Sequence, residues 1–215
     1  MAPGISDIPY SQPNSLHHDH DDHQKDHQKD HQNDNNYIIA SPYTSPLHLL
    51  DLRHLETPSQ LLAQSLTLLT PTRPDYATAP YHESFNWPTV FTHLHDLARS
   101  IHYPWQHPQT FYVVVFRSIL APGIDIDWLS TLDEESHREA TQSGGLLKYW
   151  FGSTNAHRQN LATCLWRNRD DARAGGRGPW HQKARLAAVH LYERIDFQTM
   201  LLVVEQESWR LLSLL

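Results

Sequence analysis

Between Phe111 and Glu205 the chain runs through strand, helix, strand, strand, helix and strand signals in that order, and few folds accept such an order. FYVVVFRS, from Phe111, is β-branched and aromatic, as a strand requires. The helical stretch WLSTLDEESHREATQS follows, with Asp127 as its cap, and stops at Gly144-Gly145, where a left-handed C′ residue belongs. Two strands come next, LLKYWFG and NLATCLW, joined by the polar STNAHRQN. A helix from Pro179 to about Arg194, carrying Ala184, Ala187, Ala188 and Leu191 inward, leads to the last strand, IDFQTMLLVVE. This β-α-β-β-α-β order predicts an α+β, ferredoxin-like fold: one antiparallel sheet with both helices on one face. The helix-free face then needs a partner, a lid or a ligand.

Two further helices are expected upstream. Thr57-Pro58-Ser59-Gln60 starts one, with Thr57 as N-cap and Gln60 reaching back. Asn86 caps the other, with Pro88 in its first turn and Val90, Leu94, Leu97 and Ile101 on the buried stripe. The proline-rich PTRPDYATAPYHES between them reads as an extended loop. These helices could cover the free sheet face and keep the protein monomeric; otherwise a homodimer through that face is expected.

Residues 1–40 read as a disordered His/Asp-rich tail, and 41–215 as a single α+β domain. Residues 11–36 hold one aliphatic side chain, Leu16, so they cannot bury enough apolar surface to offset their ordering entropy. Within them HQKD-HQKD-HQND spaces His23, His27 and His31 four apart, which a helix would align for a metal; the solvated low-complexity reading is preferred. A net charge of −7 gives no footprint for nucleic acid or an anionic membrane. The single cysteine, Cys164, excludes an intrachain disulfide and suits a reducing compartment. No signal peptide or membrane-length apolar run is read, so a cytoplasmic location is expected.

Strand alternation places Lys148 and Trp150 on the face opposite Leu147, Tyr149 and Phe151, and sets Ala162, Cys164 and Trp166 against Leu161, Thr163 and Leu165. A face of Lys148, Trp150, Cys164 and Trp166 would suit a flat, hydrophobic small molecule, or equally a packed core or dimer seam. Lys148, His181 and His137 are the candidate catalytic groups. Trp150, Trp166, Trp180, Cys164, Tyr149 and Arg117 are the candidate substrate-binding ones. Asp133 lies four residues before His137 and could orient its imidazole, although an exposed histidine is the plainer reading. GGRGPWH, residues 175–181, runs flexible backbone into a helix N-terminus, an anion-attracting place beside His181 and Trp180. From Arg173 it also fits the R-x-x-G-x-G loop of GNAT acetyltransferases, and YERIDF resembles a motif near the end of that fold, but the two are too close together. No metal-ligand spacing, P-loop, nucleophile elbow or carboxylate pair marks the folded part, so neither metal nor cofactor is assigned.

SGGLLKYWFG (143–152), NLATCLWRNRDDA (160–172) and the GPWH that follows resemble an uncharacterised family of conserved fungal proteins, and the resemblance extends back to about residue 45. It supplies no catalytic residues to carry over, and the His/Asp-rich tail departs from it. The element order also resembles dimeric α/β-barrel proteins, whose paired sheets enclose a pocket and among which are monooxygenases, dehydratases, cyclases and isomerases. Together these imply a cofactor-independent cyclase, isomerase or dehydratase of fungal specialised metabolism acting on a small hydrophobic substrate. The alternatives are a non-catalytic small-molecule-binding or assembly protein and a GNAT-like acetyltransferase.

Overall fold

A computed structural model of the chain describes residues 36–214. The His/Asp-rich repeat lies outside them. Within this range a clasp comes first: β1 (Tyr37–Ile38) pairs with β2 (Leu50–Asp51), and short 3-10 turns follow Ser45 and Asp51. Next come α1 (Thr57–Ser65), a single turn α2 (Tyr81–Ser84) and α3 (Trp87–Ser100). The expected unit follows, with one short helix, α5, added: β3 (Gln109–Leu120), α4 (Ile126–Ser143), β4 (Leu146–Phe151), β5 (Gln159–Trp166), α5 (Arg169–Gly175), α6 (Pro179–Leu191) and β6 (Tyr192–Val204). A further strand, β7 (Trp209–Leu214), closes the described chain.

The main sheet has the order β4-β5-β3-β6-β7 and every pairing is antiparallel. Its first four strands have the ferredoxin-like arrangement, and β7 extends it by one through a turn in which the Glu205 amide donates to Ser208. None of the described helices is long and apolar enough to cross a membrane.

Two apolar layers sandwich the sheet. On one side Phe111, Val113, Val115, Leu147, Leu161, Leu165, Leu202 and Val204 meet Leu62 and Leu66 of the α1 region and Trp87, Val90, Phe91 and Leu94 of α3. The two N-terminal helices therefore fill the face that lacks α4 and α6. The homodimer expected through that face has no surface left to use: the chain supplies its own cover. On the other side Tyr112, Leu146, Tyr149 and Trp166 pack against Ala140 of α4 and Ala172 of α5. A Cβ on Gly175 would collide with the Trp166 indole, so this close approach requires glycine. Gly175→Ala is expected to lower stability by about 1–3 kcal/mol through overpacking, measured by denaturant melting.

Several local expectations shift. α4 is capped by Asp125, which accepts from the Trp128 amide, and not by Asp127. Thr57 is already helical, and the Gln60 side chain donates to the Leu52 and Leu55 carbonyls instead of capping. Asn86 does precede α3, but its side chain staples the chain at Leu68 and Thr70. Ile101 is exposed, whereas Trp87, Phe91 and Ala98 carry the buried stripe with Val90 and Leu94. α6 ends at Leu191 because β6 begins on the next residue. Gly144, in the left-handed region, ends α4 as expected.

Candidate active site between the sheet and helices α4 and α6

A β-bulge decides which side chains meet. Leu146 pairs with Trp166 and Lys148 with Leu165, so Leu147 is an extra residue and the alternation slips by one. Tyr149 and Phe151 therefore join Cys164 and Ala162 on the α4 side, while Lys148 and Trp150 face α1 and α3 with Leu165 and Thr163. The expected face of Lys148, Trp150, Cys164 and Trp166 does not form, because the sheet separates the first two from the last two.

On the α1/α3 side the expected site residues make packing and loop contacts. Trp150 packs edge-on against Tyr76 and Phe85 at 5.4 and 4.8 Å. The Arg117 guanidinium donates to the Tyr76, Ala77 and Ala79 carbonyls and so pins the proline-rich loop. Lys148 is 7% exposed and forms no hydrogen bond or ion pair with the described residues; burial brings its amine down to about 8.

On the α4 side a polar constellation has formed. The proline-bounded segment after Ala40 runs along the outer edge of β4, where the Tyr149 amide donates to the Ala40 carbonyl at 2.9 Å. That path delivers Tyr43 and His48 to α4. Asp133 accepts from the Tyr43 phenol at 2.5 Å and from the Tyr149 phenol through its other oxygen. One helical turn on, the His137 Nδ1 is hydrogen-bonded to the His48 Nδ1 at 2.7 Å, one neutral ring donating to the other, with the rings stacked at 5.0 Å. His137 is 5% exposed, contrary to the exposed reading, and its partner is His48, not Asp133. Burial, helped by His48 and His181, brings His137 down to about 3, so it is neutral at physiological pH.

α6 completes the arrangement. Glu139 of α4 accepts from the Trp180 amide at 2.7 Å and the His181 amide at 3.1 Å, and its Oε2 also lies 3.1 Å from the His181 Nδ1. Burial works to raise the Glu139 carboxyl, but these donors together hold it low. Glu139 occupies the place at the α6 N-terminus that an anion would take. The segment Arg173–Gly178 is accordingly no pyrophosphate loop: its first part closes α5 and Gly178 caps α6. The acetyltransferase reading falls with it. Trp180 is half-buried and lies under the Lys183 ammonium, 3.7 Å from its ring centroid. Trp166 is buried beneath Gly175.

Asp133 is the centre of this side. Burial raises its carboxyl above the ordinary value, against the two phenols and the His181 charge, which favour ionisation. Burial, then the Asp133 charge, pushes the Cys164 thiol up and Tyr192 to about 12. Yet Asp133, Cys164 and Tyr192 all keep accessible surface, as do Val114, Phe116, Phe151 and Ala162 around them. Val114, Phe151, Ala162 and Cys164 pack against the buried layer of Tyr112, Leu146, Tyr149 and Trp166. Sequence spacing singled out His137, His181, Tyr149 and Cys164 but missed Tyr43, His48 and Tyr192, and gave Asp133 the wrong partner. Among the described residues no group of three or more His, Cys, Asp or Glu side chains could hold a metal ion.

Known proteins bear on the family and not on the chemistry. The Rv0793 structure from Mycobacterium tuberculosis aligns with 41% of this chain and 91% of its own, at 14% identity and a TM-score of 0.37. A putative antibiotic biosynthesis monooxygenase from Chloroflexus aurantiacus aligns with 41% and 89%, at 19% identity and a TM-score of 0.35. The UPF0643 protein PB2B2.08 of Schizosaccharomyces pombe is 34% identical over 166 residues, covering 73% of this chain and 74% of that protein. The PB2B2.08-like family model matches residues 39–213, from the clasp through β7, and the chain belongs to that family.

Proposed function

We propose that the protein binds a small, largely hydrophobic metabolite beside Asp133, between the sheet and helices α4 and α6, and rearranges it by proton transfer without a cofactor, as a cyclase, isomerase or dehydratase. The observation that carries this is Asp133: a carboxyl raised by burial and bracketed by two phenols, on a residue that is not wholly buried. A carboxyl raised toward neutral pH can give a proton to a substrate carbonyl and take one from the adjacent carbon. Tyr43 and Tyr149 hold it in place and stabilise its ionised form after transfer. His181, steadied by Glu139, stands close enough to influence the Asp133 charge and serves as second acid-base group. The neutral His48–His137 pair positions the segment that carries Tyr43. Val114, Phe116 and Phe151 supply apolar contact, and restraint of a flexible substrate removes entropy from the barrier. A role in fungal specialised metabolism suits such chemistry.

The test uses a flat bicyclic ketone, 2-tetralone, in deuterium oxide, with exchange of its α-protons followed by NMR. The protein is expected to accelerate exchange above buffer, and Asp133→Asn to reduce that acceleration at least about 100-fold with little change in melting temperature. Acceleration that survives in Asp133→Asn would remove Asp133 from the chemistry. Saturable binding of the ketone with no acceleration would instead favour a non-catalytic binding protein.

A further inference from the structure

The main sheet has two edges, and the chain protects them differently. At the β4 edge the Tyr149 amide is taken by the Ala40 carbonyl at 2.9 Å, and the bulge at Leu147 breaks the register. Both devices hinder a further strand from adding there. The β7 edge has neither. β7 pairs with β6 in unbroken register, from Thr199 with Leu214 to Val204 with Trp209, and WRLLSL holds no proline. Its one charged residue, Arg210, is engaged by Glu205 of its own chain at 2.9 Å.

The backbone groups left open at this edge follow from the turn. The Glu205 amide donates to the Ser208 carbonyl, which makes these two a hydrogen-bonded pair. Such pairs alternate along an antiparallel ladder, so Arg210, Leu212 and Leu214 turn their amides and carbonyls toward β6. Trp209, Leu211 and Ser213 turn theirs outward, where they meet no backbone partner among the described residues. The side chains beside this edge are apolar and uncovered: Leu212 and Leu214 are exposed, and Phe197, on the same face of β6, is 64% exposed.

We propose that a second copy of this chain occupies the edge, β7 against β7 across a two-fold axis, so that two sheets become one. A two-fold axis perpendicular to a sheet at its edge produces antiparallel pairing and an isologous contact. With Leu211 opposite the partner's Leu211, Trp209 meets the partner's Ser213, and each of these pairs exchanges both hydrogen bonds. Arg210 then lies opposite the partner's Leu212, which keeps the two arginines apart. The strand is complementary to itself in backbone and in charge, and nothing on it selects a charged foreign strand.

Sedimentation velocity of the full chain from about 1 to 100 μM tests this. A dimer with a micromolar dissociation constant is expected, as the small area of an edge pairing requires. Ser213→Pro deletes an outward amide that β6 does not use and is expected to weaken association at least about tenfold, with little change in melting temperature. Ser213→Ala keeps that amide and should associate like the parent. In the parent, amide hydrogen exchange at Trp209, Leu211 and Ser213 should slow as concentration rises, while Arg210 and Leu212 stay unchanged; this readout decides if the proline variant fails to fold. A monomer throughout the range would overturn the proposal, whether another segment or another protein takes the edge. So would a dimer that Ser213→Pro leaves intact, or exchange at those three amides that ignores concentration.

Discussion

Trp87→Ala is expected to cost about 3–5 kcal/mol of folding free energy, a large fraction of what a domain of this size has to lose. Trp87 is fully buried in the first turn of α3. Its indole donates to the Tyr81 carbonyl and touches Tyr81, Phe85, Phe91 and Trp209 at centroid separations of 5.6 to 6.1 Å. Those rings come from α2 and the residue after it, from α3 and from β7, so one side chain joins the cover to the sheet. Truncation leaves a cavity these elements cannot all collapse into. At about 2–4 °C per kcal/mol the melting temperature should fall by roughly 10 °C, readable by calorimetry or circular dichroism. A drop of a degree or two would mean that α3 is not held on the sheet as described. The same test bears on self-association, since loosening the cover exposes Val113, Val115 and Leu202.

Acid is expected to act through the two stacked histidines. Burial brings His137 from 6.5 to about 3, and burial likewise lowers His48, against Glu134 and Glu135 and with Arg138. Folding therefore favours the neutral rings. Above pH 6.5 both folded and unfolded chains carry them neutral and the contribution is flat. As pH falls below 6.5 the unfolded chain takes up protons first, and stability declines until about pH 3. At 1.36 kcal/mol per unit, His137 alone removes on the order of 2 kcal/mol by pH 5. Asp133 works the other way, but only between its raised value and 3.8. The double substitution His48→Phe with His137→Phe keeps two stacking rings and removes both titrations. Melting temperature measured from pH 7 to pH 5 should fall more steeply in the parent chain than in the double variant. Parallel slopes would contradict the buried, neutral pair.

The β-α-β-β-α-β order was legible because each element carries a local marker: the β-branched run at Val113–Val115, the glycines after α4, the proline opening α6. β7 was not, since WRLLSL neither alternates cleanly nor is bounded by a second turn signal, and its place depends on pairing with β6. The site failed for a more specific reason. Alternation along LLKYWF assigns faces correctly only if every residue has one opposite number. One extra residue at Leu147 reversed Lys148, Tyr149 and Trp150 together. His137 was misjudged because its burial is caused by Tyr43 and His48, nearly ninety residues earlier, in a segment with no periodicity to read. Glu139 as a cap for α6 is likewise a contact between distant helices that spacing cannot show.

The most direct test of the account is the titration of Asp133, followed by carbon NMR of the aspartate carboxyls and assigned by comparison with Asp133→Asn. The structure requires it to ionise above the ordinary aspartate value, with the resonances of Tyr43 and Tyr149 moving as it does. An Asp133 that titrates at or below that value would be a plain ionised acceptor for two phenols, with no acid to offer a substrate.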